Sequence, residues 1–419
     1  MTDTAAPTTL PGETTDRALW RLAVLRAGIT YLLSRVLVMV GSGVVAAQRV
    51  AEINGRGGER PANAVRMIVD VLTSWDGAWY LRIVRDGYPR SVPAGITYEE
   101  PEARAAFFPL FPTLTRWLDS LLPGGDVFAA LALNFVLGAA AIWIVGLLAK
   151  AVFDVRVAGR AMVLMALFPG SFVLSFAYSE ALLLVLAAGT LLMLHREQWL
   201  WAGVLAMLAT ATRPNAVALV AACAVASFLA IRRSRDWGSL VAIVLSPLGF
   251  VAFQWWIGWH AGERGVWFRV QREAWREGTS FGGTAIDGAF DFLRSPLSSP
   301  TDALTTASMI ALAVLVYAAW HRRLPAPWVA YSAVVVALML LPATVTARPR
   351  FLYTAFPLLI ALAVWFERPG RAHPRVGEQA TGGVGRVIDR DQLWTWTIAA
   401  CAGGLAVLPA LYGVFGAIP

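Results

Sequence analysis

Charge is what this sequence has least of. Only 15% of its 419 residues are Asp, Glu, Lys or Arg, whereas 58% are hydrophobic and the mean hydropathy is +0.60. A soluble domain keeps about a quarter of its residues charged to wet its surface; this chain cannot, so lipid must be most of its solvent. Lysine is nearly absent, Lys150 being the sole example. The positive charge is therefore arginine, a bias that fits a GC-rich bacterial genome. Cysteine is scarce too. Cys223 and Cys401 lie inside apolar runs, which argues against a disulfide framework or a Cys-based metal site. The four histidines are scattered, and there is no HExxH, no Gly-rich P-loop and no dinucleotide fingerprint. No cofactor is required on these grounds. A divalent metal stays open, although Gly77 and Ala78 follow Asp76 where an Asp-x-Asp pair would continue. The net charge of +8 does not point to nucleic acid, because the arginines fall mainly between apolar spans, where they set orientation.

What is present is a series of apolar runs, near 20–47, 126–149, 161–177, 180–194, 199–211, 216–231, 237–259, 303–320, 328–347, 351–366 and 393–415. They predict an all-α polytopic membrane protein with about ten or eleven transmembrane helices. Residues 1–16 read as a disordered cytoplasmic tail and 17–419 as one transmembrane domain. With the N-terminus inside, the inner loops collect the arginines, and the short outer loops hold only Arg213, Arg348 and Arg350. Two outer segments are long, 48–125 and 260–302, while 367–392, rich in Gly, Arg and Pro, reads as a flexible cytoplasmic loop. Helical periodicity is expected over 62–73. The stretch 266–275 fits either a helix lying in the membrane interface or a loop helix packed on the protein's own core.

The polar residues that stand out lie on the outer side. Ser74-Trp75-Asp76-Gly77-Ala78-Trp79-Tyr80 is the densest cluster, followed by Asp86-Gly87-Tyr88-Pro89 and Ala106-Phe107-Phe108-Pro109-Leu110-Phe111-Pro112. A helix over 75–85 would put Asp76, Trp79, Tyr80 and Ile83 on one face. A carboxylate on such a face is partly desolvated, which raises its pKa and makes it a better proton acceptor; alternatively, Asp76 caps a loop helix. Glu180 stands in the tight turn Ala177-Tyr178-Ser179-Glu180, where a favourable helix-dipole contact would also explain it. Thr212-Arg213-Pro214-Asn215 and Ala347-Arg348-Pro349-Arg350-Phe351 place guanidiniums at outer turns, suited to phosphate or to lipid headgroups. Arg35, inside the first span, faces a partner or snorkels to the interface. Carboxylates and arginines gathered on one face beside the membrane are what transfer of a sugar from a lipid phosphate demands: a base for the acceptor hydroxyl, and cations for the departing phosphate.

On these stretches the chain resembles the GPI second-mannose transferase family, which includes bacterial members that make no GPI anchors. The matching residues are Trp75-Asp76 with Gly87-Tyr88, then Ala106 to Pro109 with Phe111-Pro112, Tyr178-Ser179-Glu180, and Arg213 with Asn215. Ser34 to Leu37 match more loosely. Order and spacing agree from the first span to about Asn215; beyond it the resemblance is mostly hydropathy, plus the Arg350-Phe351 region. The resemblance implies the GT-C glycosyltransferase fold and a multi-pass protein of the plasma membrane. It also implies a polyprenyl-phosphate-mannose donor and an extracytoplasmic site in which the first outer loop carries the catalytic acid, at Asp76. GT-C transfer inverts the anomeric centre, so a β-linked donor gives an α-mannoside. Glu180 is expected as a second carboxylate and Arg213, Arg348 and Arg350 as donor-phosphate ligands. Trp75, Trp79, Tyr80, Tyr178 and Asn215 are candidate sugar or acceptor contacts. The acceptor, whether glycolipid, glycan or protein, is not specified. Two departures from the family pattern bear on it: a longer polar stretch from Arg90 to Arg104, and Pro214 between Arg213 and Asn215. The rival readings are a flippase for lipid-linked sugars and a non-catalytic scaffold of the same architecture.

Overall fold

The computed structural model describes residues 11–55, 63–296, 298–367 and 389–414. Of the expected tail over 1–16, residues 1–10 lie outside the described residues, and 11–16 are not disordered but begin the first helix; of the expected flexible loop over 367–392, residues 368–388 lie outside the described residues. The elements run α1 (Pro11–Gly55), α2 (Ala64–Leu72), α3 (Asp76–Asp86), α4 (Leu110–Asp119), α5 (Gly125–Val152), α6 (Val155–Leu167), α7 (Glu180–His195), α8 (Trp199–Thr210), α9 (Ala218–Ser234), α10 (Leu240–Leu245), α11 (Leu248–His260), α12 (Val266–Glu273), α13 (Gly283–Arg294), α14 (Pro300–His321), α15 (Ala326–Leu340), α16 (Pro349–Thr354), α17 (Pro357–Phe366) and α18 (Arg390–Gly413). The architecture is all-α and polytopic. Among the described residues, six segments are long and apolar enough to cross a membrane: Asp16–Ile53, Gly125–Val152, Pro214–Ser234, Trp237–His260, Pro300–His321 and Arg390–Gly413. Four shorter apolar helices, α7, α8, α15 and α17, stand among them.

Prolines set several element boundaries. Pro247 stands at the interruption between α10 and α11 within the segment 237–260. Three runs that read in sequence as whole crossings are broken. The run 161–177 ends its helix at Leu167 and passes into a short 3-10 helix, Pro169–Leu174; 328–347 loses its helix after Leu340; and 351–366 is split by Pro357 into α16 and α17. Such irregular backbone survives next to lipid only where protein covers it or a cavity lies beside it. Two of the breaks are covered, since Phe172, Val173, Leu174, Phe176 and Tyr178 have no exposed surface and Leu352, Tyr353 and Thr354 almost none, while the third lies beside a cavity that Pro342, Thr344 and Val345 line.

The two long loops fold over the same end of the bundle as these breaks. Asn63 caps α2 by accepting from the backbone N–H groups of Val65 and Arg66. The Leu72 carbonyl then accepts from Ala177 N at 2.9 Å. In the second loop, α12 turns Val266, Trp267 and Val270 inward, and the Trp267 indole donates to the Ala106 carbonyl at 2.9 Å. Of the two readings of 266–275 the packed one holds. The exposed apolar stripe belongs instead to α13, through Ile286, Phe290 and Leu293. Arg269 ties the loops together, donating to the Val92 and Pro93 carbonyls and pairing with Glu263 and Glu273.

Candidate active site

Asp76 occupies the first turn of α3, directly after Trp75, whose φ of 57° and ψ of −121° put a bulky side chain in a region that L residues avoid. Strain of this kind costs about 1–3 kcal/mol and persists only where surrounding contacts impose it. The Trp75 indole donates to the Tyr412 carbonyl at 3.3 Å, which fixes the residue against α18. Asp76 does not cap its helix with its side chain. Its Oδ2 instead accepts from Arg350 Nη1 at 2.7 Å and lies 3.6 Å from Arg213 Nη1. Glu180, at the start of α7, faces the same two cations, with Oε2 2.9 Å from Arg213 Nη1 and Oε1 3.7 Å from Arg350 Nη1. The four groups form a neutral quartet of alternating charge.

Each member is held by packing that the apolar sequence alone does not announce. Asn134 on α5 donates to the Phe176 and Tyr178 carbonyls at 2.5 and 2.6 Å, which sets the turn leading into Glu180. Arg35 faces a partner rather than the interface: it donates to the Ser171 carbonyl at 2.8 Å and to Ser175 Oγ at 2.9 Å, pinning the turn after α6. Ser179 Oγ bonds the Tyr80 hydroxyl at 2.7 Å and accepts from Arg213 at 3.2 Å. Arg350 sits in α16, which approaches Gly170 so closely that a Cβ there would lie 2.2 Å from the Pro349 carbonyl oxygen. Its guanidinium covers the rings of Phe351 and Tyr178, at 4.7 and 5.7 Å from their centroids.

Desolvation was expected to raise the Asp76 pKa, and burial does push it up. The guanidiniums of Arg350 and then Arg213 outweigh that push and hold the carboxyl below the usual carboxylate range. The expectation is thus reversed by two cations delivered from other loops. Burial opposes the charge on both arginines as well, but the carboxylates prevail and raise them: Glu180 foremost for Arg213, Asp76 foremost for Arg350.

A cavity of about 600 Å³ opens beside the quartet, within the range of small-molecule sites. Trp75, Asp76, Arg213, Asn215 and Arg350 line it, and Val335, Leu338, Met339, Pro342, Val345 and Phe351 give it an apolar wall. Glu180 does not reach it. Its side chain is 1% exposed against 19% for Asp76, and its oxygens make no hydrogen bond, so it stands behind the arginines as their counter-charge. Arg348 is directed elsewhere, donating to Thr305 Oγ1 on α14 at 2.7 Å. Trp79, Tyr80 and Tyr178 are packed in the loop core and do not line the cavity. Trp79 and Tyr80 lie against Phe107, and Tyr178 against Phe172 and Phe176. The motif residues Gly87, Tyr88 and Phe107 act structurally: Arg104 donates to the Gly87 carbonyl, and Tyr88 to that of Phe107, both at 2.7 Å. Among the lining residues that sequence reasoning missed are Tyr98, Trp275 and Glu277, in the two long loops. The only signal for them was that their two loops are long. Among the described residues no three His, Cys, Asp or Glu side chains gather as they would around a metal ion.

No protein-family model and no curated protein sequence matches the chain. Among solved structures, it is similar to ArnT from Cupriavidus metallidurans bound to undecaprenyl phosphate, at 15% identity and a TM-score of 0.49. That match covers 83% of this chain and 60% of ArnT. It is also similar to the Archaeoglobus fulgidus oligosaccharyltransferase tethered with an acceptor peptide, at 15% identity and a TM-score of 0.39, covering 80% of this chain and 51% of that one. The chain thus spans little more than half the length of the proteins it matches. Likenesses of this size assign no activity and no residue role to it.

Proposed function

We propose that this protein is a GT-C membrane glycosyltransferase that moves mannose from a polyprenyl-phosphate carrier to an extracytoplasmic acceptor, with inversion. The observation that carries the reading is one carboxylate, Asp76, held between two largely buried guanidiniums on the wall of a cavity that is otherwise lined mainly by apolar side chains. The apolar wall suits the first isoprene units of the carrier. Arg213 and Arg350 suit its phosphate, because guanidinium binds phosphate oxygens through paired N–H donors.

The chemistry follows from a change of partners. When the donor phosphate enters, the arginines turn part of their hydrogen bonding from Asp76 to the phosphate oxygens. Asp76 loses the charges that depress its pKa and becomes a stronger base. It accepts the proton of the acceptor hydroxyl as that oxygen bonds to the anomeric carbon. The bond from that carbon to the phosphate oxygen breaks, and its electron pair leaves on the phosphate, where Arg213 and Arg350 stabilise the added charge. Attack from the face opposite the phosphate inverts the centre. Glu180 keeps the two guanidiniums in place throughout.

A transfer assay tests this. Purified protein is given radiolabelled polyprenyl-phosphate mannose, with native membrane lipid extract as acceptor. Wild type should move label into a new product and Asp76→Asn should not, since a positioned base is worth about 10²–10⁴ in rate. A wild type that binds the donor but transfers nothing contradicts the reading.

A further inference from the structure

The cavity has a second polar feature, away from the quartet. Glu277, in the second long loop, lines it together with Trp275 and Thr344. One carboxylate oxygen, Oε2, accepts from Thr344 Oγ1 at 2.8 Å; the other, Oε1, is buried with no hydrogen-bond partner. Among the described residues no cation pairs with Glu277, although Arg269 on the same loop takes both Glu263 and Glu273. The carboxylate is firmly placed. Arg276, just before it, adopts a φ of 50° that a non-glycine residue reaches only under constraint. Ala343 N donates to the Gly278 carbonyl at 2.9 Å, and Thr279 bridges to Pro342, so the Glu277 and Thr344 backbones are clamped together. Burial raises the Glu277 pKa, and the Thr344 hydroxyl offsets only part of that.

A buried carboxylate oxygen without a donor is costly, and folded proteins leave one mainly where a ligand supplies the donor. The ligand's chemistry can be read from the surroundings. Trp275 packs edge-on against Tyr98 at 5.4 Å and Phe107 at 5.8 Å, in an aromatic wall whose members Trp275 and Tyr98 face the cavity. An aromatic surface beside a carboxylate acceptor, with a hydroxyl and the Asn215 amide nearby, matches a ring that is apolar on its face and carries hydroxyl donors on its edge. Asn215 Oδ1 is likewise buried without a partner.

We propose that Glu277, supported by Thr344 and Trp275, is a sugar-binding subsite in which the carboxylate accepts hydrogen bonds from ring hydroxyls of a hexopyranoside. This inference rests on the glycosyltransferase reading for its setting. Either the donor's or the acceptor's sugar supplies the ring; the chemistry is shared.

The test uses full-length protein in nanodiscs and two probes, methyl α-D-mannopyranoside followed by saturation-transfer NMR, and undecaprenyl phosphate followed by equilibrium binding. Wild type should bind both. Glu277→Gln, which keeps the shape and loses the charge, should weaken the glycoside about tenfold while undecaprenyl phosphate affinity stays within about twofold. Thr344→Val should weaken the glycoside as well, by freeing the carboxylate from its anchor. If undecaprenyl-phosphate mannose displaces the glycoside and undecaprenyl phosphate does not, the donor's sugar fills the subsite; if the glycoside stays bound beside the complete donor, the acceptor's does. Glycoside binding unchanged in Glu277→Gln, or absent from a wild type that binds undecaprenyl phosphate, overturns the subsite and leaves the transferase reading standing. Failure of undecaprenyl phosphate itself to bind overturns the transferase reading instead.

Discussion

Replacing Asp76 by Asn should make the protein bind its phosphate ligand more tightly while it ceases to turn over. On the proposed function, Asp76 and the incoming phosphate compete for the same two guanidiniums. Arg350 Nη1 is 2.7 Å from Asp76 Oδ2, and the Arg213 and Arg350 side chains are only 11% and 8% exposed, so water screens the pairing weakly. A hydrogen bond to a charged partner contributes about 1.5–3 kcal/mol. Asparagine keeps a neutral hydrogen bond to Arg350 and gives up the charge, so the lower part of that range applies, which is about a tenfold gain in affinity at 1.4 kcal/mol per decade. Glu180 remains 2.9 Å from Arg213 and 3.7 Å from Arg350, so both guanidiniums keep a carboxylate neighbour in the variant. The assay is equilibrium binding of undecaprenyl phosphate to both proteins in nanodiscs. Weaker binding by Asp76→Asn would refute the competition and remove the basis for placing phosphate at Arg213 and Arg350.

Asp76 also links stability to pH. Its folded pKa is depressed, so its pairing stabilises the protein above the unfolded carboxylate value of about 3.9 and the contribution disappears as pH falls through the folded value. The melting-temperature gap between wild type and Asp76→Asn, followed by tryptophan fluorescence, should be constant from about pH 7 to 5 and shrink below about pH 4; a gap unchanged at the acid end would contradict the pairing. The two arginines of the fourth motif should separate cleanly. Arg350→Gln should weaken undecaprenyl phosphate about tenfold or more, the worth of one charged hydrogen bond, whereas Arg348→Gln, whose guanidinium is held at Thr305, should change affinity less than about twofold while lowering the melting temperature. Equal losses of affinity would place Arg348 in the site.

Much of the site was legible because polar groups are conspicuous in so apolar a chain. Asp76, Glu180, Arg213 and Arg350 are charged residues at turns where the surrounding spans leave little else charged, and they do converge. Arg348 sends the same signal and is turned away, because the backbone passes from extended at Arg348, with φ −133° and ψ 150°, into helix at Pro349. Two residues so close then meet different partners, and spacing cannot foresee which. The depressed Asp76 pKa was hidden because its cause is tertiary: both arginines come from loops far along the chain. Glu277 was hidden for the opposite reason. The second long loop carries Glu263, Glu273 and Glu277, and only the contacts of Arg269 show that the first two are spoken for. Hydropathy also read unbroken crossings over 161–177 and 351–366. Pro169 and Pro357 were visible there, but a membrane helix tolerates proline unless neighbouring structure stabilises the break, and that stabilisation comes from Arg35, Asn134 and the approach of Pro349 to Gly170.

The stereochemistry of transfer tests the role of Asp76 most directly. A single carboxylate acting as a base requires one displacement, so a β-linked polyprenyl-phosphate mannose should yield an α-mannoside, read from the anomeric signals in the NMR spectrum of the purified product. A β-mannoside would contradict the account, since net retention is incompatible with a single in-line displacement by the acceptor that Asp76 deprotonates.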